Sequence, residues 1–186
     1  MDTDVIKEAE MNLYLKQKLF TIKDKFTVYD ENENPIYTIK GKLITVHSEH
    51  SIFDNKGQEV AKVHKKIFSM MPKFFIERPL NREYELKRKI AIGHEVYVVD
   101  GLDWKIKGNF LEHDYTITKD DQEIASVHQK WLSWGDTYEI SIAGGIDDVL
   151  ILGIVLCIDI MHYIEGGTTA TATEDLIVDT ITNNNK

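Results

Sequence analysis

The chain of 186 residues is long enough for one ordinary domain with a buried core, and its composition, 42% hydrophobic and 28% charged with three Pro, is globular. Thirty-one acidic against 22 basic residues give a formal charge of −9, which excludes sequence-blind nucleic-acid binding by bulk charge. The single cysteine, Cys157, excludes an intrachain disulfide and any multi-cysteine metal cluster built by this chain alone.

The first ten residues are acidic and lack the apolar centre of a signal peptide, so we expect an N-terminal extension on a cytoplasmic protein. From Leu13 onward, runs of β-branched and aromatic residues alternate with turn clusters. Phe26–Tyr29 and Ile36–Ile39 flank Asp30–Pro35 and read as a hairpin, and Asp54–Gly57 separates Ile52-Phe53 from Val60–Val63. Then the pattern recurs. Gln58–Ser69 (QEVAKVHKKIFS) and Gln122–Ser133 (QEIASVHQKWLS) are identical at seven of twelve positions, 64 residues apart. Ile39-Lys40-Gly41 parallels Ile106-Lys107-Gly108, Glu49–Ile52 parallels Glu112–Tyr115, and Phe74 and Ile76 match Tyr138 and Ile140. Lys119–Asp121 repeats the turn at Asp54–Gly57. These parallels define halves of about 13–77 and 84–142. Strand alternation places Ala61, Val63, Ile67, Ala125, Val127 and Trp131 inward, and His64, Lys66, His128 and Lys130 outward.

Val149–Ile158 is wholly apolar, and Asp147 and Asp148 before it suit a helix N-terminus. Gly144-Gly145 reads as the tight turn into that helix, about 147–163. Such a helix must be enclosed, and its ten apolar residues fall well short of the roughly 20 that span a bilayer. A closed antiparallel barrel of about a dozen strands needs filling, and the helix would fill it. This fixes the expected fold as mainly β, a barrel domain over 11–164 around a C-terminal apolar helix, with no large lumenal cavity. Residues 165–186 are Thr-rich and net acidic, which predicts a mobile tail, with an edge strand at Leu176–Val178 as the alternative.

Several stretches together resemble the LURP-one-related family: Tyr14–Phe20, Phe26–Asn32, Ile106–Phe110 with His113–Tyr115, Lys130–Trp134 with Asp136–Tyr138, and Asp147–Leu152. The resemblance runs from about Met11 to Tyr163. It implies a tubby C-terminal-like fold, a twelve-stranded barrel threaded by an apolar helix and shared with tubby proteins and phospholipid scramblases. Tubby-like proteins bind phosphoinositides and scramblase-like proteins act at membranes. The chain departs from scramblases in lacking their longer membrane-spanning segment and acylated cysteine cluster, and it carries no motif matching the tubby phosphoinositide residues.

No catalytic constellation stands out. GxSxG, GxxxxGK and GxGxxG are all missing. The histidines His50 and His113, and His64 and His128, recur between halves, as catalytic residues seldom do, so they are assigned structural or surface roles. His47 and His50 flank Glu49 but point to opposite faces of a strand, and no HExxH or paired-cysteine spacing supports a metal. Cys157 is expected to be an inert core thiol. Asp159 is read as the helix's polar exit from the barrel, pairing with His162 or a strand end, with a buried acid of shifted pKa as the minority alternative. No catalytic residue, metal or cofactor is expected.

The functional signal is a charge asymmetry. Nine basic residues, Lys62, Lys65, Lys66, Lys73, Arg78, Arg82, Lys87, Arg88 and Lys89, face three acids, Glu77, Glu83 and Glu85, across the junction of the halves. Interleaved aromatics suit an anionic ligand such as a phospholipid headgroup or an acidic protein. The bland alternative is a solvated linker with scattered charges. We therefore expect a non-enzymatic cytosolic binding module, peripheral at a membrane if its ligand is a lipid, whose surface comprises Lys65, Lys66, Lys73, Arg78, Arg82, Lys87, Arg88 and Lys89. A scaffold without a small-molecule ligand is the alternative, and an enzyme with an unrecognised site ranks third.

Overall fold

The computed structural model describes residues 10–16, 25–43, 48–66, 73–91, 94–132 and 135–183. Twelve strands form in chain order: β1 (Met11–Lys16), β2 (Lys25–Tyr29), β3 (Pro35–Leu43), β4 (Ser48–Asp54), β5 (Glu59–Lys66), β6 (Lys73–Arg78), β7 (Arg82–Ala91), β8 (His94–Val99), β9 (Trp104–Asn109), β10 (Asp114–Lys119), β11 (Gln122–Leu132) and β12 (Gly135–Ile142). Each pairs antiparallel with the next, and β12 returns to β1, with Leu13 opposite Ile140, so the sheet closes without an edge.

Turn chemistry sets the hairpins. The Asp30 carboxylate accepts from the Asn32 and Asn34 amides at 2.9 and 2.8 Å, and Asp54 does the same for Lys56 and Gln58 at 2.9 and 2.8 Å. Asp120 and Asp121 both take positive φ, 50° and 60°, the handedness that a two-residue hairpin requires.

The repeat extends to register. Val63 faces Ile76 as Val127 faces Ile140, and Ile39 faces Ile52 as Ile106 faces Ile117. Gly41 stands opposite His50 where Gly108 stands opposite Tyr115, so the structural counterpart of His50 is Tyr115. This corrects the pairing of His50 with His113. Matching the Glu-His dipeptides ignored a two-residue difference in the preceding turn, and His113 itself lies in the turn between β9 and β10 at φ 51°. Ala61, Val63, Ala125 and Val127 are buried while His64, Lys66, His128 and Lys130 point outward, as the alternation requires; Ile67 and the Trp131 side chain lie outside the described residues.

Helix α1 (Asp148–Asn183) fills the barrel, with Val149–Met161 buried throughout. Each large aliphatic side chain so enclosed contributes about 1.5–3 kcal/mol relative to exposure. It lies closest to β4–β6, and Gly153 admits Ile76, whose Cγ2 would stand 2.9 Å from any Cβ placed there. Gly145, at φ 79°, makes the entering turn. Asp147 caps the helix: its Oδ1 accepts the Leu150 amide at 3.0 Å and its carbonyl accepts that of Ile151 at 3.1 Å. The far end differs from the sequence reading. The backbone continues as helix past Tyr163 to Asn183, in place of an edge strand at Leu176–Val178, and no Pro interrupts it. Among the described residues, no helix is long and apolar enough to cross a membrane.

Candidate ligand-binding face

Antiparallel register sorts the basic stretch into three places. Arg78, at the end of β6, turns to the pole where α1 begins: its guanidinium donates to both Asp147 carboxylate oxygens at 3.0 and 2.9 Å and to the Val60 carbonyl at 2.5 Å. Beside it, the Tyr37 hydroxyl donates to Asp148 at 2.6 Å, and burial with that contact pushes the phenol pKa up. With 13% of its side chain exposed, Arg78 is a clamp on the helix N-terminus. Arg82 pairs in register with Arg78 and stays exposed at the same pole.

Arg88 serves the opposite pole. It bonds Glu95 of β8 and, at 2.5 Å, Glu165 of α1, tying the emerging helix to the barrel wall. Inside this pole lies a buried polar and aromatic plug. Asp159, whose side chain is 2% exposed, sets its Oδ1 3.0 Å from His113 Nε2, and the His113 ring stacks on Tyr138 at 4.1 Å. Burial raises the Asp159 pKa, and the His113 contact opposes that rise only in part. Phe110 packs edge-on against Tyr97 at 4.8 Å, and the Tyr97 hydroxyl lies 3.3 Å from His162 Nε2. Asp159 is therefore a buried acid partnered by His113, correcting its assignment as the polar exit. The polar exit comes one turn later, at His162–Glu165. Cys157 is buried and its thiol pKa is pushed up by desolvation, as expected of an inert core group.

The remaining cations except Lys65 lie on the outer face of β5–β7, which is built in rungs. Lys62 stands opposite Glu77, and Glu77 opposite Glu83; His64 stands opposite Phe75, and Phe75 opposite Glu85. In the next rung Lys66 stands opposite Lys73, and Lys87 follows Leu86, the partner of Phe74, so it stands beside Lys73. Lys89 extends the row, whereas Lys65, opposite the buried Phe74, belongs to the inward-facing set of β5 and sits at the barrel's rim. Lys73 reaches Glu85 at 2.9 Å; Lys87 reaches the same carboxylate at 3.7 Å and Asp100 at 2.9 Å. Lys66 hangs over Phe75, 5.7 Å from the ring centre. Among the described residues, Lys65, Lys66, Arg82 and Lys89 form no ion pair.

The eight singled-out cations thus separate. Lys65, Lys66, Lys73, Lys87 and Lys89 gather at the pole where α1 leaves, Arg88 is spent on Glu95 and Glu165 there, and Arg78 and Arg82 lie at the opposite pole. Lys62, farther along β5, pairs with Glu49 at 3.2 Å. His64, Glu77 and Glu83 also converge on this face, a grouping that linear spacing does not display because it spans three strands. Among the described residues, surface hollows elsewhere include a groove of about 290 Å³ over β2–β4, lined by Lys25, Lys40 and Phe53, and one of about 150 Å³ over β11–β12.

The family model described as LURP-one-related matches residues 11–159. Protein YxjI of Bacillus subtilis (strain 168) is 28% identical over 153 residues, spanning 82% of this chain and 94% of that protein. Protein LURP-one-related 15 of Arabidopsis thaliana is 19% identical over 172 residues, spanning 80% and 79%. An X-ray structure of an Arabidopsis thaliana protein superposes with a TM-score of 0.63 at 17% identity, covering 84% of this chain and 93% of that one, a likeness of fold. No enzyme family is indicated by these matches. With a barrel closed around an apolar helix and a family model spanning nearly all of it, the chain belongs to the LURP-one-related family.

Proposed function

We propose that this chain is a non-enzymatic binding module, cytoplasmic and peripheral at a membrane, that takes anionic phospholipid headgroups on the outer face of β5–β7. The observation that carries this reading is the rung Lys66, Lys73 and Lys87, continued by Lys89. Like charges placed directly across a sheet destabilise it, and the carboxylates of Glu85 and Asp100 offset only part of the four lysines of this row. A negatively charged surface against the rung removes that repulsion, at about 1 kcal/mol per lysine held near an anionic leaflet. Phe75 in the adjacent rung is itself buried and supports the row from below, with the Lys66 amine over its ring.

The test is co-sedimentation with vesicles of phosphatidylcholine alone or with added phosphatidylserine, over a salt series. Binding should require the anionic lipid, fall steeply as salt rises and disappear in the triple variant K66E/K73E/K87E, with the fold retained by circular dichroism. Binding that ignores salt or survives the triple reversal, or no binding at any composition, defeats the reading.

A further inference from the structure

Beside the phenyl ring of Phe75 and one rung beyond it, the same sheet face carries different chemistry. His64 on β5, Glu77 on β6 and Glu83 on β7 all point outward, and their donor atoms lie within 4.8 Å of one another. The His64 ring is stacked on Phe75, with centroids 5.5 Å apart and planes at 15°, which sets Nδ1 toward the carboxylates, 3.4 Å from Glu77 Oε1. That spacing is longer than a good charge-assisted hydrogen bond, about 2.7–2.9 Å. Glu77 and Glu83 stand directly opposite each other, a like-charge pair that costs stability. The lysine of that rung, Lys62, is held by Glu49 at 3.2 Å, and among the described residues Glu83 forms no ion pair.

We infer that His64, Glu77 and Glu83 form a binding site for a divalent transition-metal ion of the zinc class. One imidazole nitrogen and two carboxylate oxygens are a three-ligand set that leaves a fourth position for water, whereas Ca²⁺ and Mg²⁺ favour oxygen donors throughout. With metal–donor distances of about 2.1 Å, two donors of one ion stand at most about 4.2 Å apart. Rotation of the two flexible glutamate stems closes the remaining gap, and the outward setting leaves the site open to solvent. The ion would replace acid–acid repulsion with two attractions. This inference does not depend on the lysine rung or on any lipid.

The experiment is isothermal titration of the chelator-treated full chain with Zn²⁺, alongside the visible spectrum with Co²⁺. A single micromolar site is expected, weakened at least tenfold in His64→Ala and in the near-isosteric Glu83→Gln. It should persist in His128→Ala, whose ring pairs with Asp114 at 2.7 Å on another part of the barrel. Zn²⁺ should also raise the melting temperature of the wild type and of H128A but not of E83Q. Binding in H64A and E83Q as strong as in the wild type, or no saturable binding below about 1 mM, overturns the assignment.

Discussion

Among the apolar side chains of the barrel, the Asp159 carboxyl is exposed over only 2% of its surface and faces one imidazole. Burial raises its pKa in the folded protein above the ordinary carboxylate value, so the folded state favours the protonated acid. The sign follows: Asp159 contributes its full stability below its unfolded pKa, about 4, and loses it as pH rises through the folded value. Replacement by Asn removes the titration. The melting temperature of Asp159→Asn should therefore exceed that of the wild type at pH 7, with the gap closing toward about pH 4; a lower melting temperature at pH 7 would mean that the His113 contact outweighs burial. At the helix start, Asp147→Ala removes both the cap and the Arg78 clamp and should cost at least about 1–2 kcal/mol in denaturant unfolding. The helix-starting role of Asp147 and Asp148 was legible from their place before an apolar run. Their partners Arg78 and Tyr37 were not, since they lie 69 and 111 residues away and only closure of the barrel brings them near.

At the scale of elements, α1 is held by enclosure. Leu152 and Leu156 are fully buried, and replacing either by Asp sets an unpaired charge in the barrel at a cost of at least about 3 kcal/mol, to be seen as lost soluble yield or a lowered melting transition. Strands were easier to read than the helix end. Two-residue alternation and Asp-rich turns mark β2–β5 and β10–β11 directly, whereas the stretch after Tyr163 has no amphipathic period, and its composition suggested a tail where the backbone is helical. Register was the least visible quantity, because a difference in turn length shifts it without altering the motif. That is why His113 was matched to His50, and why the lysine rung emerges only once β5, β6 and β7 are laid side by side. Glycines carry register too. Gly108, at φ 146°, lies under Tyr115, whose Cα would stand 2.5 Å from an added Cβ, so Gly108→Ala should destabilise strongly while Gly57→Ala, with nothing nearby, carries only its backbone strain. Comparing the two melting temperatures checks this.

For the whole molecule, closure rests on β1 and β12, the first and last strands of the meander. Removal of residues 1–16 would expose the edges of β2 and β12 and uncover one side of the helix, so the truncated chain should aggregate or melt far below the full chain, as light scattering and calorimetry would show. The duplicated architecture was evident from the QEVAKVH and QEIASVH segments, since two equal arrays of strands and one greasy helix admit few other arrangements. The charge layout was not. A run of cations along the chain becomes a helix clamp, a strut and a surface row, because β5, β6 and β7 reverse direction twice across it.

The strut from Arg88 to Glu165 fixes one further relation. It makes the barrel a polar object with unlike ends: one stoppered by the Arg78–Asp147 bond, the other flanked on its β5–β7 side by amines and trailing the rest of α1. A headgroup surface drawn to the amines would meet the departing helix at the same moment, so the direction in which that helix points governs how closely, and at what tilt, the cylinder can settle.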